Sequence, residues 1–136
     1  QAVDQYVADP ENYHLAGWLA EEVYKVSHRE YCTGFYYGRP DQCYLSGGYV
    51  RECDIVAVVD HCADGWLYGT QRNRFAVGDE VEILEPGQPP YKLTVAEIRN
   101  GEGESVPAAP HAMMAFSMPC PEGSFTQGTI IRKNKN

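Results

Sequence analysis

With 136 residues, the chain has the usual length of one domain and can bury one full hydrophobic core. Its 43% hydrophobic and 22% charged residues are ordinary for a soluble globular protein. No apolar run is close to the length of a membrane helix, which needs about 20 residues. The net charge of −8 argues against free-standing binding to nucleic acid or a membrane, because phosphate contacts need cations, but it leaves room for a local basic patch.

The five cysteines lie at long spacings, and no Cys-x-x-Cys pair occurs. An odd number of cysteines without a secretory signal argues against a disulfide framework. The spacings also do not fit a zinc or iron–sulphur site. We therefore expect reduced thiols in a cytoplasmic domain that contacts no membrane, holds no metal and carries no cofactor.

The first 26 residues predict a linker followed by one helix. Residues 1–8 are expected to connect to an absent upstream domain, so that the chain is a fragment of a longer protein. Asp9-Pro10-Glu11 has a capping Asp, a Pro suited to the first helical position and a Glu at the positive end of the helix dipole. Apolar residues then recur at helical spacing, at Leu15, Trp18, Leu19, Val23 and Val26. No other part of the chain has a convincing helical pattern.

From Tyr31 onward the pattern is one of short strands separated by turns. The candidate strands are Tyr31–Tyr37, Val50–Val59, Trp66–Gln71, Glu80–Leu84, Tyr91–Arg99, Met114–Met118 and Gly128–Lys133. Residues 38–48 are expected to form a surface loop, Asp60–Gly65 a turn and Asn100-Gly101 a hairpin. The fold class is therefore predicted as mainly β: a small closed β-barrel of six or seven strands preceded by one α-helix, spanning residues 9–133 and followed by a polar tail at 134–136.

His28 and Arg29 follow the predicted helix and, with Ser27, offer several donors for an anion. Cations near a helix C-terminus are also expected for stability alone, and this structural interpretation is favoured. A catalytic triad of Ser27, His28 and an acid such as Asp54 is rejected, because Ser27 and His28 are too close in the chain for a productive hydrogen bond and no Gly-x-Ser-x-Gly turn surrounds the serine. No catalytic residue is expected.

Arg72 and Arg74 would point to the same side if their segment were extended. The other members of this candidate basic strip are Lys25, Arg29, Arg132 and Lys133. The alternative is a solvated turn whose arginines pair with Glu80 or Glu82. The residues kept as candidates for substrate binding are His28, Arg29, Arg72 and Arg74.

Four tyrosines lie in or near the predicted loop: Tyr36, Tyr37, Tyr44 and Tyr49. Their rings could stack on bases or line an interface with a partner. The alternative is that they are half-buried strand residues with solvated hydroxyl groups.

Three stretches resemble the C-terminal domain of the U32 peptidase (collagenase-like) family. They are Ser27-His28-Arg29 with Tyr31 and Thr33-Gly34-Phe35-Tyr36, then Gln71–Glu82 followed by a Pro-Gly turn, and finally Gly128–Lys133. Together they extend the resemblance over residues 13–133. The resemblance implies a compact β-barrel similar to the second domain of elongation factor Tu, placed after a separate catalytic domain.

The resemblance also implies a non-catalytic accessory role, as a lid or substrate-recognition domain beside that upstream catalytic domain of a peptidase. Some family members are implicated in prephenate-dependent hydroxylation of the wobble uridine of tRNA, with an iron–sulphur cluster held by upstream cysteines. None of the five cysteines here matches those ligands. Three alternatives stay open: a lid over a protein substrate, an RNA-recognition barrel of a tRNA hydroxylase, and a domain that only stabilises the longer protein.

Overall fold

The computed structural model describes residues 1–29, 31–39, 49–120 and 124–135. The chain divides into two compact units, which are described separately below. The N-terminal unit comprises Ala2–Cys53. The β unit comprises Asp54–Asn136 together with Gln1.

The N-terminal unit contains two short helices, α1 (Ala2–Ala8) and α2 (Gly17–Lys25). Helix α1 occupies the residues predicted as a linker. The helix predicted to begin at Asp9 begins only at Gly17, so its predicted start is wrong. The reason is local: both carboxylate oxygens of Asp9 accept hydrogen bonds from the side-chain amide of Asn12, at 3.1 Å, and this contact closes a turn over residues 10–12.

The strand predicted over Tyr31–Tyr37 is also wrong, because residues 34–37 form a turn. Gly34 has a φ of +59°, in the left-handed region, and the Tyr36 N–H donates to the Thr33 carbonyl at 3.4 Å. A left-handed residue breaks the extended backbone that an aromatic strand would need. Residues 40–48, most of the predicted surface loop, lie outside the described residues.

The β unit confirms the mainly β class and the barrel-type architecture. Its strands are β1 (Cys53–Ala63), β2 (Trp66–Gln71), β3 (Phe75–Ala76), β4 (Glu80–Leu84), β5 (Tyr91–Thr94), β6 (Ile98–Asn100), β7 (Ser105–Val106), β8 (Ala108–Ala109), β9 (Ala115–Pro119) and β10 (Ile130–Asn134). Eight of them form one sheet in the order β5-β4-β10-β1-β2-β9-β6-β7, and β3 pairs with β8. The strands beyond the predicted six or seven are only two or three residues long, too short to produce a visible alternation.

Strands β2 and β4 have their predicted bounds, and the hairpin at Asn100-Gly101 is confirmed as the connection from β6 to β7. Strand β1, in contrast, continues through the predicted Asp60–Gly65 turn as far as Ala63. Only Asp64 and Gly65 form the turn, with φ values of +50° and +77°. Two successive residues with positive φ are typical of the two-residue hairpin turns whose twist matches that of the flanking strands.

The core of the β unit consists mainly of aliphatic side chains packed around one aromatic pair. The rings of Phe75 and Phe116 meet edge to face, with centroids 5.0 Å apart. The fully buried aliphatic residues include Val56, Val59, Leu67, Val81, Ile83, Ile98, Met118 and Ile131.

One charged pair is buried with this core. In β4 the acids alternate with Val81 and Ile83, a pattern that predicts a solvated Glu82, but Glu82 is only 4% exposed, as is Arg132 directly opposite on β10. The Arg132 guanidinium donates to Glu82 Oε2 from Nη2 at 2.6 Å and from Nε at 2.8 Å. Because its charge is neutralised inside the unit, Arg132 cannot belong to a surface basic strip, and that part of the prediction is wrong.

Candidate functional site

His28 and Arg29 lie in the N-terminal unit, just after α2, and their contacts are local. The backbone of His28 pairs with that of Val50, and its Nδ1 lies 2.8 Å from the Val26 carbonyl oxygen. Its ring stacks on Tyr31 with centroids 4.4 Å apart, while the Arg29 guanidinium lies 5.4 Å from the ring centroid of Tyr49. These contacts support a structural role, and substrate binding by the two residues stays a prediction.

Ser27 and His28 have different partners. The Ser27 hydroxyl accepts a hydrogen bond from Arg51 Nε at 3.4 Å, whereas the His28 ring contacts Val26 and Tyr31. A nucleophilic serine needs its histidine within hydrogen-bond reach. The geometry therefore agrees with the rejection of this pair as a catalytic dyad.

Arg72 and Arg74 lie in the β unit, after β2, in a segment that bends instead of running straight. The backbone N–H groups of Arg72 and Asn73 both donate to the Val56 carbonyl, at 2.7 and 3.1 Å. This shared acceptor turns the chain, so the alternation that was expected to align the two arginines does not apply. The Arg72 guanidinium contacts the sulphur of Met113, whereas Arg74 lines a cleft of its own.

This cleft, called the cationic cleft below, has a volume of about 330 Å³. Three cations line it: Arg74, Lys133 and Lys135. Its other lining residues are Asp54, Val56, Asn73 and Asn134. Lys133 forms an ion pair with Asp79 at 2.7 Å, and Lys135 forms one with Asp54 at 3.2 Å. Three cations against two carboxylates give a positive site on a chain whose total charge is negative.

Asp79 pairs with Lys133, one of the three cations of the cationic cleft. Burial of this carboxylate opposes its ionisation, but hydrogen bonds from Lys133 and from the Ala76 backbone, with the charges of Lys133 and Arg74, outweigh that effect and lower the pKa of Asp79. Its Oδ2 accepts from the Ala76 N–H at 2.8 Å. The carboxylate therefore stays charged at neutral pH and holds the Lys133 amine at a defined position.

Lys135 is the member of the cleft that the sequence reasoning missed, because it was assigned to a polar tail. Strand β10 extends to Asn134, one residue into that tail. Side chains two residues apart on a strand share a face, so the alternation of Lys133 and Lys135 was the available signal.

Across the described ranges, no group of three or more His, Cys, Asp and Glu side chains is placed to bind a metal ion. The expectation that the domain binds no metal stays a prediction. Neither α1 nor α2, the helices of the described chain, has the length and apolar character required to span a bilayer.

Comparisons with known proteins agree on one family. Residues 51–132 match the peptidase family U32 C-terminal domain. The tRNA hydroxylation protein P1 of Bacillus subtilis (strain 168) is 30% identical over 140 residues, which cover 99% of this chain and 33% of that protein. The chain thus spans about a third of the length of this curated relative.

Two solved structures share the fold, both of the C-terminal domain of a Geobacillus thermoleovorans protein assigned to the U32 peptidases. A selenomethionine variant is 23% identical with a TM-score of 0.55, covering 59% of this chain and 99% of that chain. The second is 21% identical with the same TM-score, covering 61% of this chain and 93% of that chain. Because the family match extends over more than half of its residues, the chain belongs to the U32 peptidase C-terminal domain family.

Proposed function

We propose that this chain is a non-catalytic substrate-recognition domain of a larger U32-family protein, and that it binds the phosphate backbone of tRNA at the cationic cleft. The observation that carries the proposal is the convergence of Arg74, Lys133 and Lys135 around one cleft. The choice of tRNA among polyanions is supported by the Bacillus relative, which matches nearly the whole chain and is named for tRNA hydroxylation.

The ion pairs of the cleft suit phosphate binding. The Lys133 and Lys135 side chains are 31% and 41% exposed, and exposed ion pairs contribute at most about 1 kcal/mol. A phosphate can therefore replace or join the carboxylates at little cost, while the pairs hold both amines in place beforehand. Arg74 adds a planar guanidinium that can donate two parallel hydrogen bonds to one phosphate.

The reaction itself is assigned to an upstream catalytic domain, the expected partner of this one within the larger protein. In this chain the Ser27 hydroxyl and the His28 imidazole have different partners, so these two residues do not form a catalytic pair. Any iron–sulphur cluster would likewise be held by upstream cysteines, and this domain would supply contacts that orient the RNA.

A second candidate, a lid over a protein substrate, is favoured by the turn at residues 34–37. Phe35, Tyr36 and Tyr37 are 80%, 93% and 89% exposed, so the half-buried alternative for these tyrosines is wrong. Exposed aromatic side chains are enriched where proteins bind one another. The lid would be favoured if tRNA binding did not depend on the cationic cleft and if binding of a protein substrate depended on this turn.

The test is the salt dependence of tRNA binding by the purified chain, followed by fluorescence anisotropy. Three phosphate contacts predict weak binding whose log affinity falls with log salt at a slope of about −2 to −3. The variant Arg74→Gln/Lys135→Gln removes two contacts and should reduce the steepness of that slope by about 2. The matched control is Arg39→Gln/Lys92→Gln, which also removes one arginine and one lysine, neither of which lines the cleft.

The control variant should bind almost as the wild type does. An equal loss of tRNA affinity in both variants would show that binding depends on the overall charge, and it would remove the cationic cleft from the proposal. Undetectable tRNA binding at low salt by the folded wild-type chain would overturn the proposal itself.

A further inference from the structure

A second cleft, of about 370 Å³, is lined mainly by residues of β1, β2, β6 and β9, the core residue Phe116 among them. It is called the aromatic cleft here. The strand register places His61, Tyr68, Ser117 and Arg99 side by side, one on each of the neighbouring strands β1, β2, β9 and β6. Leu67 and Met118, the next residues on β2 and β9, are fully buried on the other face.

His61 reaches this row through an irregularity in β1. Val59 pairs with Gly69 and His61 pairs with Tyr68, so Asp60 is an extra residue in β1. Such a bulge reverses the facing of the residues that follow it. Without it, His61 would lie opposite Leu67 on the core side. The bulge therefore places the His61 imidazole beside the Tyr68 phenol ring on an exposed face, where neither side chain contributes to the hydrophobic core.

Flat groups form the walls of the aromatic cleft. The rings of His61 and Tyr68 stack with centroids 4.5 Å apart and planes 3° from parallel. The Arg99 guanidinium lies 4.0 Å from the ring centroid of Trp66. Its Nε donates to Glu97 at 2.8 Å, and no described residue provides a recorded acceptor for its two terminal amino groups.

Small residues line the cleft beside these flat groups, among them Gly69, Ala115 and Ser117. Small residues beside planar groups leave a slot for a flat ligand. The nearby Asp60 carboxylate accepts a hydrogen bond from Thr70 through Oδ2 at 2.9 Å, and within the described part of the chain Oδ1 has no hydrogen-bond donor. The slot thus combines flat surfaces with polar groups at its edge.

The charges decide which part of a nucleotide fits. Asp60 lines the cleft, and Glu97 pairs with Arg99, so a phosphate inside the cleft would meet one carboxylate and an arginine whose charge is already neutralised. A base has a flat uncharged face for stacking and N–H groups that Asp60 can accept. We propose that the aromatic cleft binds one unpaired nucleobase of an RNA. This deepens the proposed function, since the RNA would be the tRNA held at the cationic cleft.

The test uses Trp66 as the reporter. The chain has two tryptophans, so Trp18→Phe leaves Trp66 as the only one. A short single-stranded oligoribonucleotide should quench its fluorescence, whereas the same sequence in a duplex should not, because paired bases cannot enter the slot. Tyr68→Phe keeps the ring and should keep the affinity. Tyr68→Leu keeps apolar volume without the ring and should weaken binding at least about fivefold.

Two further measurements keep this result interpretable. Tyr68→Leu should leave the salt slope of tRNA binding unchanged, because stacking releases no counterions, in contrast to the variant in the cationic cleft. Arg99→Gln, measured in parallel, removes the guanidinium that lies over Trp66 without changing β2. Melting curves of both variants should coincide with the wild type within a few degrees, so that weaker binding reports the cleft and not unfolding.

The proposal is overturned by an absence of quenching, by equal quenching with duplex, or by Tyr68→Leu and Arg99→Gln binding as the wild type does. Cation-dependent tRNA binding with any of these results leaves the proposed function standing and removes only the nucleobase site. Ring-dependent quenching by single strands, with no binding of tRNA, supports the nucleobase site and removes the proposed function instead.

Discussion

The buried ion pair of Glu82 and Arg132 should dominate the electrostatic contribution to the stability of the β unit. The two side chains are 6% and 5% exposed, and two donor atoms of the guanidinium reach one carboxylate oxygen. Arg132→Leu keeps an apolar stem on β10 but leaves the Glu82 carboxylate in the core without its cation. Breaking a buried pair from one side costs about 3–5 kcal/mol, a large part of the about 5–15 kcal/mol of a typical domain.

The double substitution Glu82→Leu/Arg132→Leu should recover most of this loss. It removes both charges, and replacing a buried pair by apolar residues of similar volume is often neutral or stabilising by about 1–4 kcal/mol. Lys133→Leu, the neighbouring position on β10, is the matched control. Its ion pair with Asp79 is partly solvated, so its loss should cost no more than about 1 kcal/mol.

The assay is urea-induced unfolding at neutral pH and 25 °C, followed by far-ultraviolet circular dichroism. The free energy of unfolding and its slope with urea are compared among the wild type, both single variants and the double variant. A decrease of less than about 1 kcal/mol in the free energy of unfolding of Arg132→Leu would refute the reasoning, since removing the cation from a buried carboxylate should destabilise the domain by more than that. A double variant less stable than Arg132→Leu would refute it equally.

Four further results are expected. Gly69→Ala should destabilise the chain by about 1–3 kcal/mol in the same assay, because its Cβ would lie 2.7 Å from the Val58 carbonyl oxygen; Gly17→Ala, with no atom within 4 Å, should not. The lowered pKa values of Asp79 and Glu85, the latter due mainly to hydrogen bonds from threonines, mean that both carboxylates add stability above their unfolded-state pKa. This stability is lost as the pH falls through the folded-state pKa, and Asp79→Asn should flatten that loss in an acid titration. The purified chain should release no peptides from gelatin or casein, and reproducible hydrolysis would contradict the non-catalytic assignment. All five cysteines should react with a thiol reagent in the denatured, unreduced chain, and a lower count would reveal a disulfide.

Part of the fold was predictable because its signals are local. The alternation and turn residues around Trp66–Gln71 and Glu80–Leu84 predict β2 and β4 with their observed bounds. Asn100-Gly101 predicts the β6–β7 hairpin for the same reason, since the turn chemistry lies within two residues. The family resemblance likewise depends on short stretches of residues that can be read without any contact between distant parts of the chain.

The candidate sites were predictable only in part. Arg74 and Lys133 were both placed in the candidate basic strip, but Lys135, which follows β10 about 60 residues after Arg74, was missed. The aromatic cleft was not predicted at all, because its row of side chains depends on the register of four strands and on the bulge at Asp60. A one-residue change of register moves a side chain to the opposite face, and no local pattern records where such a change occurs.

The sequence by itself therefore determined the β-rich class, the bounds of β2 and β4, the β6–β7 hairpin and the family, because each depends on neighbours in the chain. The tertiary structure decided which charges are buried and which are exposed. Glu82 lies in an alternating strand whose pattern predicts a solvated carboxylate, yet it is buried because β10 brings Arg132 opposite to it. A charge leaves water only where a partner of opposite charge meets it, and that meeting is a property of strand pairing between residues fifty positions apart.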